Sequence, residues 1–305
     1  RQHPTEPLNP GMNPALNLLA GALLVGLAWG ILGSARIVAQ VRYQPSLKPS
    51  DLGFPAEALF LTTSDGLRLA AWFVRHAQPT GLLLMLHGYG ASKEDLLDIA
   101  RALHEQGSFH LLLLDSRGHG ASEGSTISFG HKEILDVRAA LEFASSHPEC
   151  QGLPIGCYGV SMGGAVALLA AAQWEIIQAV VTDSTYADLP STIARIQRLT
   201  YHIPRIPLGQ LAIWGAQLRL GCRVRNLSPA AVVGRVSPRP VLLIHGTQDP
   251  TTPKEEAVAL YDAAKEPKEL WLIEGAEHVA GFYQHPQEYT RRITGFFQRA
   301  FARAT

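Results

Sequence analysis

From Glu57 onward, short apolar runs of strand length alternate with longer stretches in which apolar residues recur at helical spacing. Strands are predicted over Glu57–Thr63 and Arg68–Arg75, joined by the turn signal Ser64-Asp65-Gly66. Six more are predicted over Gly81–His87, Phe109–Asp115, Pro154–Gly159, Gln178–Asp183, Pro240–His245 and Lys268–Glu274. Leu82–Leu86 and Leu111–Leu114 are unbroken apolar runs, the pattern of central strands covered on both faces. Between them, helices are predicted over Lys93–Gln106, Gly130–His147, Met162–Gln173, Pro253–Lys265 and Pro286–Arg303. An opening hairpin followed by repeated strand-helix units predicts an α/β fold, a mostly parallel eight-stranded sheet flanked by helices. Residues 184–238 break the rhythm, with helix-like stretches and no clear strand. That is too long for an ordinary connection, and it is predicted to fold as a small helical lid over the C-terminal edge of the sheet.

The N-terminal part reads differently. No residue between Glu6 and Arg36 is charged, and Ala15–Gly33 is apolar apart from Asn17. As a helix this run would reach about 28 Å, close to the hydrocarbon thickness of a bilayer. A buried core helix is a second reading, but such helices rarely stay uncharged on every face. A cleaved signal peptide is a third, against which the length of the run and the missing cationic segment before it count. The expectation is an uncleaved anchor: an N-terminal segment 1–43 with a spanning helix at about 15–35, an extended linker over 44–56 carrying Pro45, Pro49 and Pro55, and a folded α/β domain over 57–305. Arg36, Arg42 and Lys48 follow the span while Arg1 precedes it, which tips the domain after it toward the cytoplasmic side. The chain opens on Arg1 rather than Met, so residues upstream of it would bear on that balance.

Composition narrows the chemistry. The chain has 305 residues, 47% hydrophobic and 17% charged, enough apolar surface to offset chain entropy and exclude disorder as its main state. Lys plus Arg equals Asp plus Glu at 26 each, so no basic field exists to hold a polynucleotide, and no nucleic-acid partner is expected. Cys150, Cys157 and Cys222 lack CxxC spacing and allow at most one disulfide. No GxxxxGK[ST], HExxH or dinucleotide GxGxxG sequence occurs, and His104-Glu105 lacks the second His a zinc site would need, so no cofactor and no metal is implied.

Gly159-Val160-Ser161-Met162-Gly163 fits GxSxG, between a predicted strand and an Ala-rich helix. A sharp turn there would lift the Ser161 hydroxyl out of the sheet edge at a helix N-terminus, whose partial positive charge favours a developing anion. A serine hydroxyl needs a base that is itself oriented by an acid, both on loops after later strands. Asp249 lies after the strand ending at His245, and His278 lies after the next one, giving the order Ser161, Asp249, His278. Other residues fit less well. Asp183 also ends a strand, but a turn or lid-anchoring role suits it better. Glu274 and Glu277 lack a separate loop from which to reach the far ring nitrogen of His278, and His285 precedes Pro286 at a helix start. His87-Gly88-Tyr89-Gly90 closes a central strand, so the Tyr89 backbone N–H, with that of Met162, could form an oxyanion hole.

These motifs, with LHGYG (Leu86–Gly90), DSRGHGASEG (Asp115–Gly124), IHGTQDPTTP (Ile244–Pro253) and GAEH (Gly275–His278), make the chain from about Glu57 to its C-terminus resemble the α/β-hydrolase superfamily. Within it the chain looks most like the small-lid branch of serine aminopeptidases, lysophospholipases and monoacylglycerol-lipase-like esterases. The resemblance implies a catalytic triad of Ser161, Asp249 and His278, an oxyanion hole at Tyr89 and Met162, and a loop-fixing role for Asp115, Arg117 and His119. The long apolar N-terminus departs from the common soluble members.

Two-step acyl transfer through an acyl-enzyme is therefore expected, the serine hydrolase acting on carboxylic esters. The leaving group could be an alcohol, a thiol or an amine. Apolar lid residues, Ile193, Ile196, Leu199, Ile213 and Trp214 among them, and a nearby bilayer point to an acyl or lipid-like ester, although the same side chains could simply pack the lid onto the sheet. A peptidase acting at free N-termini should need an acid in the lid, which offers only Asp188. A binding protein that had lost catalysis would be expected to lack a triad member, and none is missing. The expected partners are a small-molecule ester and the lipid bilayer.

Overall fold

Eight strands, β1 (Ala56–Thr62), β2 (Arg68–Val74), β3 (Gly81–Leu86), β4 (Phe109–Leu114), β5 (Ile155–Val160), β6 (Ile177–Asp183), β7 (Val241–Gly246) and β8 (Lys268–Ile273), form one sheet in the order β1-β2-β4-β3-β5-β6-β7-β8. The computed structural model from which this is drawn describes residues 14–41, 46–47, 49–53, 55–201 and 208–303. β1, β2 and β4 pair antiparallel, and from β4 to β8 the sheet is parallel throughout. The nine α-helices of the described residues are α1 (Pro14–Ile37), α2 (Leu97–Gly107), α3 (Glu133–Ser146), α4 (Met162–Ala171), α5 (Leu189–Tyr201), α6 (Gln210–Leu220), α7 (Lys254–Ala263), α8 (Gly281–Gln284) and α9 (Pro286–Phe301).

Strand period explains why the central runs carry no polar residue. Leu82, Leu84 and Leu86 point to one face, into a cluster with Val137, Ala140, Val166 and Ala167 of α3 and α4. Leu83 and Met85 point to the other, against Ile99 and Leu103 of α2 and Phe297 and Phe301 of α9. Both faces are buried, so every position is apolar. α5 and α6 occupy the long connection between β6 and β7, where a helical lid was expected.

Two helices begin later than their apolar pattern implies. Lys93–Leu96 is a 3-10 turn capped by Ser92, and α2 proper starts at Leu97. α3 starts at Glu133 rather than Gly130, because the buried Glu133 carboxylate accepts the backbone N–H groups of Ser128 and Gly130, both at 2.7 Å, and closes a turn in front of the helix.

α4 lies unusually close to the sheet. A Cβ on Gly163 would overlap the carbonyl oxygens of Leu86 and His87, and one on Gly159 would overlap the Gly163 carbonyl. Overpacking a rigid backbone contact costs about 1–3 kcal/mol or more. We expect Gly163→Ala to destabilise the fold by at least about 2 kcal/mol, read as a lowered urea midpoint at unchanged slope.

α1 is 24 residues long, about 36 Å, with no charged residue before Arg36 in its last turn. It is long and apolar enough to cross a membrane, and none of its apolar window is buried, Leu23 for example being 74% exposed. That overturns the core-helix reading and is compatible with a membrane anchor or a signal sequence. Its C-terminal half, however, lies along α6. The two axes come so close that a Cβ on Gly215 would stand 2.7 Å from the Gly30 carbonyl oxygen and from Ser34 Cβ. Arg219 reaches back to Ser34 Oγ at 3.0 Å and to the Ile31 carbonyl at 3.2 Å, and Val38 packs with Ala216 and Leu220. Beyond the helix, Ala39 and Val41 bridge to Thr126 and His119. Of the segment read as an extended linker, residues 44, 45, 48 and 54 lie outside the described residues. The rest is folded against the domain: Pro49–Leu52 forms a 3-10 turn, and Ser46 and Leu47 bond to the Glu94 carboxylate at 3.2–3.3 Å.

Candidate active site

Parallel strands end on one edge, and the turns after β5, β7 and β8 meet there. Ser161 sits between β5 and α4 with φ 51° and ψ −117°, a conformation that a side-chain-bearing residue adopts only under constraint from its surroundings. The constraint is visible: Ser161 N–H donates to the Asp183 carbonyl at 2.8 Å, and the Ser161 carbonyl accepts from the Thr185 hydroxyl at 3.2 Å.

The structure brings Ser161, His278 and Asp249 together. His278 Nε2 is 3.1 Å from Ser161 Oγ, and His278 Nδ1 is 2.6 Å from Asp249 Oδ2. Because an ionised carboxylate only accepts, the Nδ1 atom carries the proton and Nε2 presents its lone pair to the hydroxyl. Asp249 itself is buried and held on both oxygens. The backbone N–H groups of Thr251 and Thr252 donate to Oδ1 at 2.9 and 2.8 Å, and the Thr252 hydroxyl stands 2.8 Å from Oδ2. Burial alone would push the Asp249 carboxyl up, but the bond and charge of His278, with the Thr252 donors, outweigh it and hold the carboxyl below its usual range.

The other sequence candidates fall elsewhere. Asp183 is buried behind the Ser161 turn, its Oδ2 accepting from Tyr289 at 2.6 Å and its Oδ1 from Ser184 at 2.9 Å. Burial pushes its carboxyl up. Ser184 Oγ in turn accepts the Val279 N–H at 2.9 Å, so Asp183 steadies the loop that carries His278 rather than contacting the imidazole. Glu274 and Glu277 are exposed, and His285 is an exposed residue at the start of α9.

Tyr89 and Met162 line one cavity together with Ser161. Met162 opens α4, so its N–H has no carbonyl one turn back to reach. The turn bearing Tyr89 is pinned by two buried imidazoles. His87 donates from Nδ1 to the Gly88 carbonyl at 2.7 Å and accepts Ser116 N–H on Nε2 at 3.0 Å. His119 donates to the Arg117 carbonyl and accepts Gly90 N–H at 3.2 Å. Each ring accepts on one nitrogen and so must be neutral there, in keeping with burial pushing His87 down to about 4 and His119 down as well. Asp115 and Arg117 fix the same loop region: Lys93 Nζ meets Asp115 at 2.5 Å in full burial, and Arg117 bridges Asp136 and Asp65.

Two cavities flank Ser161. One of about 220 Å³ is lined by His278 together with Tyr158, Phe282 and Tyr283. The other, about 490 Å³ and mostly apolar, runs from Ser161 and Met162 between α5 and the end of α1. The three cysteines are free thiols, Cys157 being pushed up to about 12 by burial.

Sequence reasoning missed Thr252, Ser184 and Tyr289. Asp249-Pro250-Thr251-Thr252 carried a usable signal, since Asp two residues before backbone donors favours an Asx turn. Tyr289 carried none, because its partner is 106 positions away.

This sheet order, with a serine on the strained turn after β5 and a histidine and an acid after later strands, defines an α/β hydrolase, and the chain belongs to that superfamily. Residues 77–226 match the serine aminopeptidase, S33 family. Esterase Pf2001 of Pyrococcus furiosus superposes with a TM-score of 0.71 at 26% identity, over 85% of this chain and 98% of that one. Among sequence relatives, YqkD of Bacillus subtilis is 27% identical over 78% of each chain. The polyketide transferase grgF of a Penicillium species is 27% identical over 81% of this chain and 98% of its own.

Proposed function

We propose that the protein is a membrane-anchored serine hydrolase that cleaves carboxylic esters through an acyl-enzyme, with Ser161 as nucleophile, His278 as base and Asp249 as the acid that orients it. The observation that carries this reading is the continuous line of contacts from Asp249 Oδ2 through His278 to Ser161 Oγ, at 2.6 and 3.1 Å. His278 Nε2 takes the hydroxyl proton as Oγ attacks the ester carbonyl. The Tyr89 and Met162 N–H groups stabilise the oxyanion, an effect worth about 3–4 kcal/mol per donor. The imidazolium then protonates the leaving alkoxide. Water enters beside the same ring, gives up its proton to Nε2, and releases the carboxylic acid with Ser161 restored. The esterase neighbour supports ester chemistry.

The aminopeptidase alternative requires an acid that grips a free amine. Asp188 does not face either cavity: its oxygens accept from Ser191 N–H at 2.9 Å and Ser228 Oγ at 3.0 Å, capping α5. The acids beside the small cavity, Asp95 and Asp183, are taken by the Ser92 N–H and by Tyr289. Retention of α1 as an anchor, rather than its loss as a signal sequence, is supported by its packing on α6, which removal would leave open. A panel of p-nitrophenyl esters and aminoacyl p-nitroanilides tests the reaction class. Turnover of esters and not of the anilides is expected; the reverse would assign a peptidase.

Thr252 also matters, because its hydroxyl is one of four donors around Asp249, with the Thr251 and Thr252 N–H groups and His278 Nδ1. A hydrogen bond to a charged group is worth about 1.5–3 kcal/mol. Thr252→Val should lower kcat/KM about tenfold or more and also cost the fold about 1.5–3 kcal/mol, since the same buried hydroxyl lies 3.0 Å from the Ser184 carbonyl, checked by steady-state kinetics on the folded protein beside urea melts.

A further inference from the structure

The cavity beside Ser161 shares a wall with the helix long enough to cross a bilayer. Its inner end is formed by Ser161 and Met162, and its outer wall by Trp29, Leu32 and Ile37 of α1 facing Ile193 of α5. At about 490 Å³ it lies within the size range of small-molecule sites, and its lining is dominated by apolar side chains. It is also the cavity that does not include His278, which lines the smaller space on the other side of the hydroxyl. That asymmetry sorts the two halves of an ester. The leaving oxygen and the attacking water must both exchange protons with His278 Nε2, so they belong on the imidazole side. The acyl half is left with the apolar cavity.

The direction from which it fills follows from α1 and the lid together. Leu32 is 68% exposed, so the outer wall of the cavity is at the same time part of the face that α1 would present to lipid. Next to it, α5 and α6 leave large apolar residues uncovered, Leu199, Trp214 and Leu218, the last at 85% exposure. Small residues at Gly26, Gly30, Gly33 and Ser34 let α6 seat against α1 within its apolar length, Leu211 standing beside Gly26. Residues 184–238 carry seven Arg and one acid in a chain of zero net charge, a balance suited to an anionic lipid surface.

Resting on the esterase reading, we infer that this cavity is a slot for a long acyl chain that enters sideways from the bilayer, with the anchor helix itself as one wall, so that the substrate is a membrane-resident long-chain acyl ester. Burying one methylene is worth about 0.8 kcal/mol, close to fourfold in an equilibrium constant.

The test uses the full chain in phosphatidylcholine nanodiscs. With p-nitrophenyl esters, kcat/KM should climb about three- to fourfold per methylene from acetate to hexanoate. Leu32→Trp, which crowds the slot, should lower the hexanoate-to-acetate ratio at least about tenfold, whereas Leu23→Trp, on the same helix outside the slot, should keep it. Ester turnover that is flat or falls with chain length, or a ratio equally insensitive to both substitutions, overturns the slot and leaves the esterase reading standing. A second measurement does not depend on turnover. A diazirine-bearing palmitoyl ester, photolysed with the Ser161→Ala variant in the same nanodiscs, should label Ile193 or Met162, lining residues that are buried from lipid. Labelling there upholds the slot even if no ester is cleaved and the esterase reading fails. Labelling confined to Leu23, Leu24 and other outward positions of α1 overturns it.

Discussion

Replacing Ser161 with Ala is expected to reduce ester turnover by about a millionfold while leaving the protein folded, because it deletes the one atom to which the acyl group is transferred. The substitution removes a side-chain oxygen whose structural role is small. Ser161 holds its turn through its backbone, the N–H on the Asp183 carbonyl at 2.8 Å and the carbonyl accepting from Thr185 at 3.2 Å, and both bonds survive in the variant. Activity and stability should therefore separate. The measurement is kcat/KM for a p-nitrophenyl ester beside a thermal melt, and loss of both together would assign Ser161 to the fold instead.

Asp249→Asn should cost about ten-thousandfold for a different reason. The carboxylate accepts from His278 Nδ1 at 2.6 Å and so dictates which ring nitrogen carries the proton. An amide in its place keeps the shape, but Thr251 and Thr252 already donate backbone N–H bonds to Oδ1. They would hold the amide oxygen there and turn its NH2 toward the ring. That NH2 donates, so the imidazole must accept on Nδ1 and carry its proton on Nε2, where Ser161 then finds a donor instead of a base. Steady-state kinetics on Asp249→Asn and Asp249→Ala would distinguish this from a packing effect. A much smaller loss, less than about a hundredfold, would mean that the acid is elsewhere.

Much of this architecture could be read from single residues in order. The eight strands came from runs such as Leu82–Leu86, where period and burial agree, and Ser161, Asp249 and His278 from their places just beyond strand ends. Two things were out of reach. Polar supports such as Tyr289 and Ser184 act across the chain, and their type alone says nothing about a partner on another element. The seat of α1 on α6 was half written, in Gly26-x3-Gly30-x3-Ser34 and in the small residues Ala212, Gly215 and Ala216. A spacing of that kind states that a helix packs closely, not against what, so the run read as an isolated span. Glu133 shows the opposite failure: its helical spacing was right, but its carboxylate closes the preceding turn and moves the helix start.

The claim on which the rest depends is that the Ser161 hydroxyl is activated by its neighbours. Full-length protein treated with a fluorophosphonate and digested for mass spectrometry tests it most directly. The account predicts one phosphonyl adduct, on Ser161, whose rate of formation collapses in His278→Ala. An unmodified Ser161 in folded protein, or an adduct on another serine that His278→Ala leaves untouched, would contradict it.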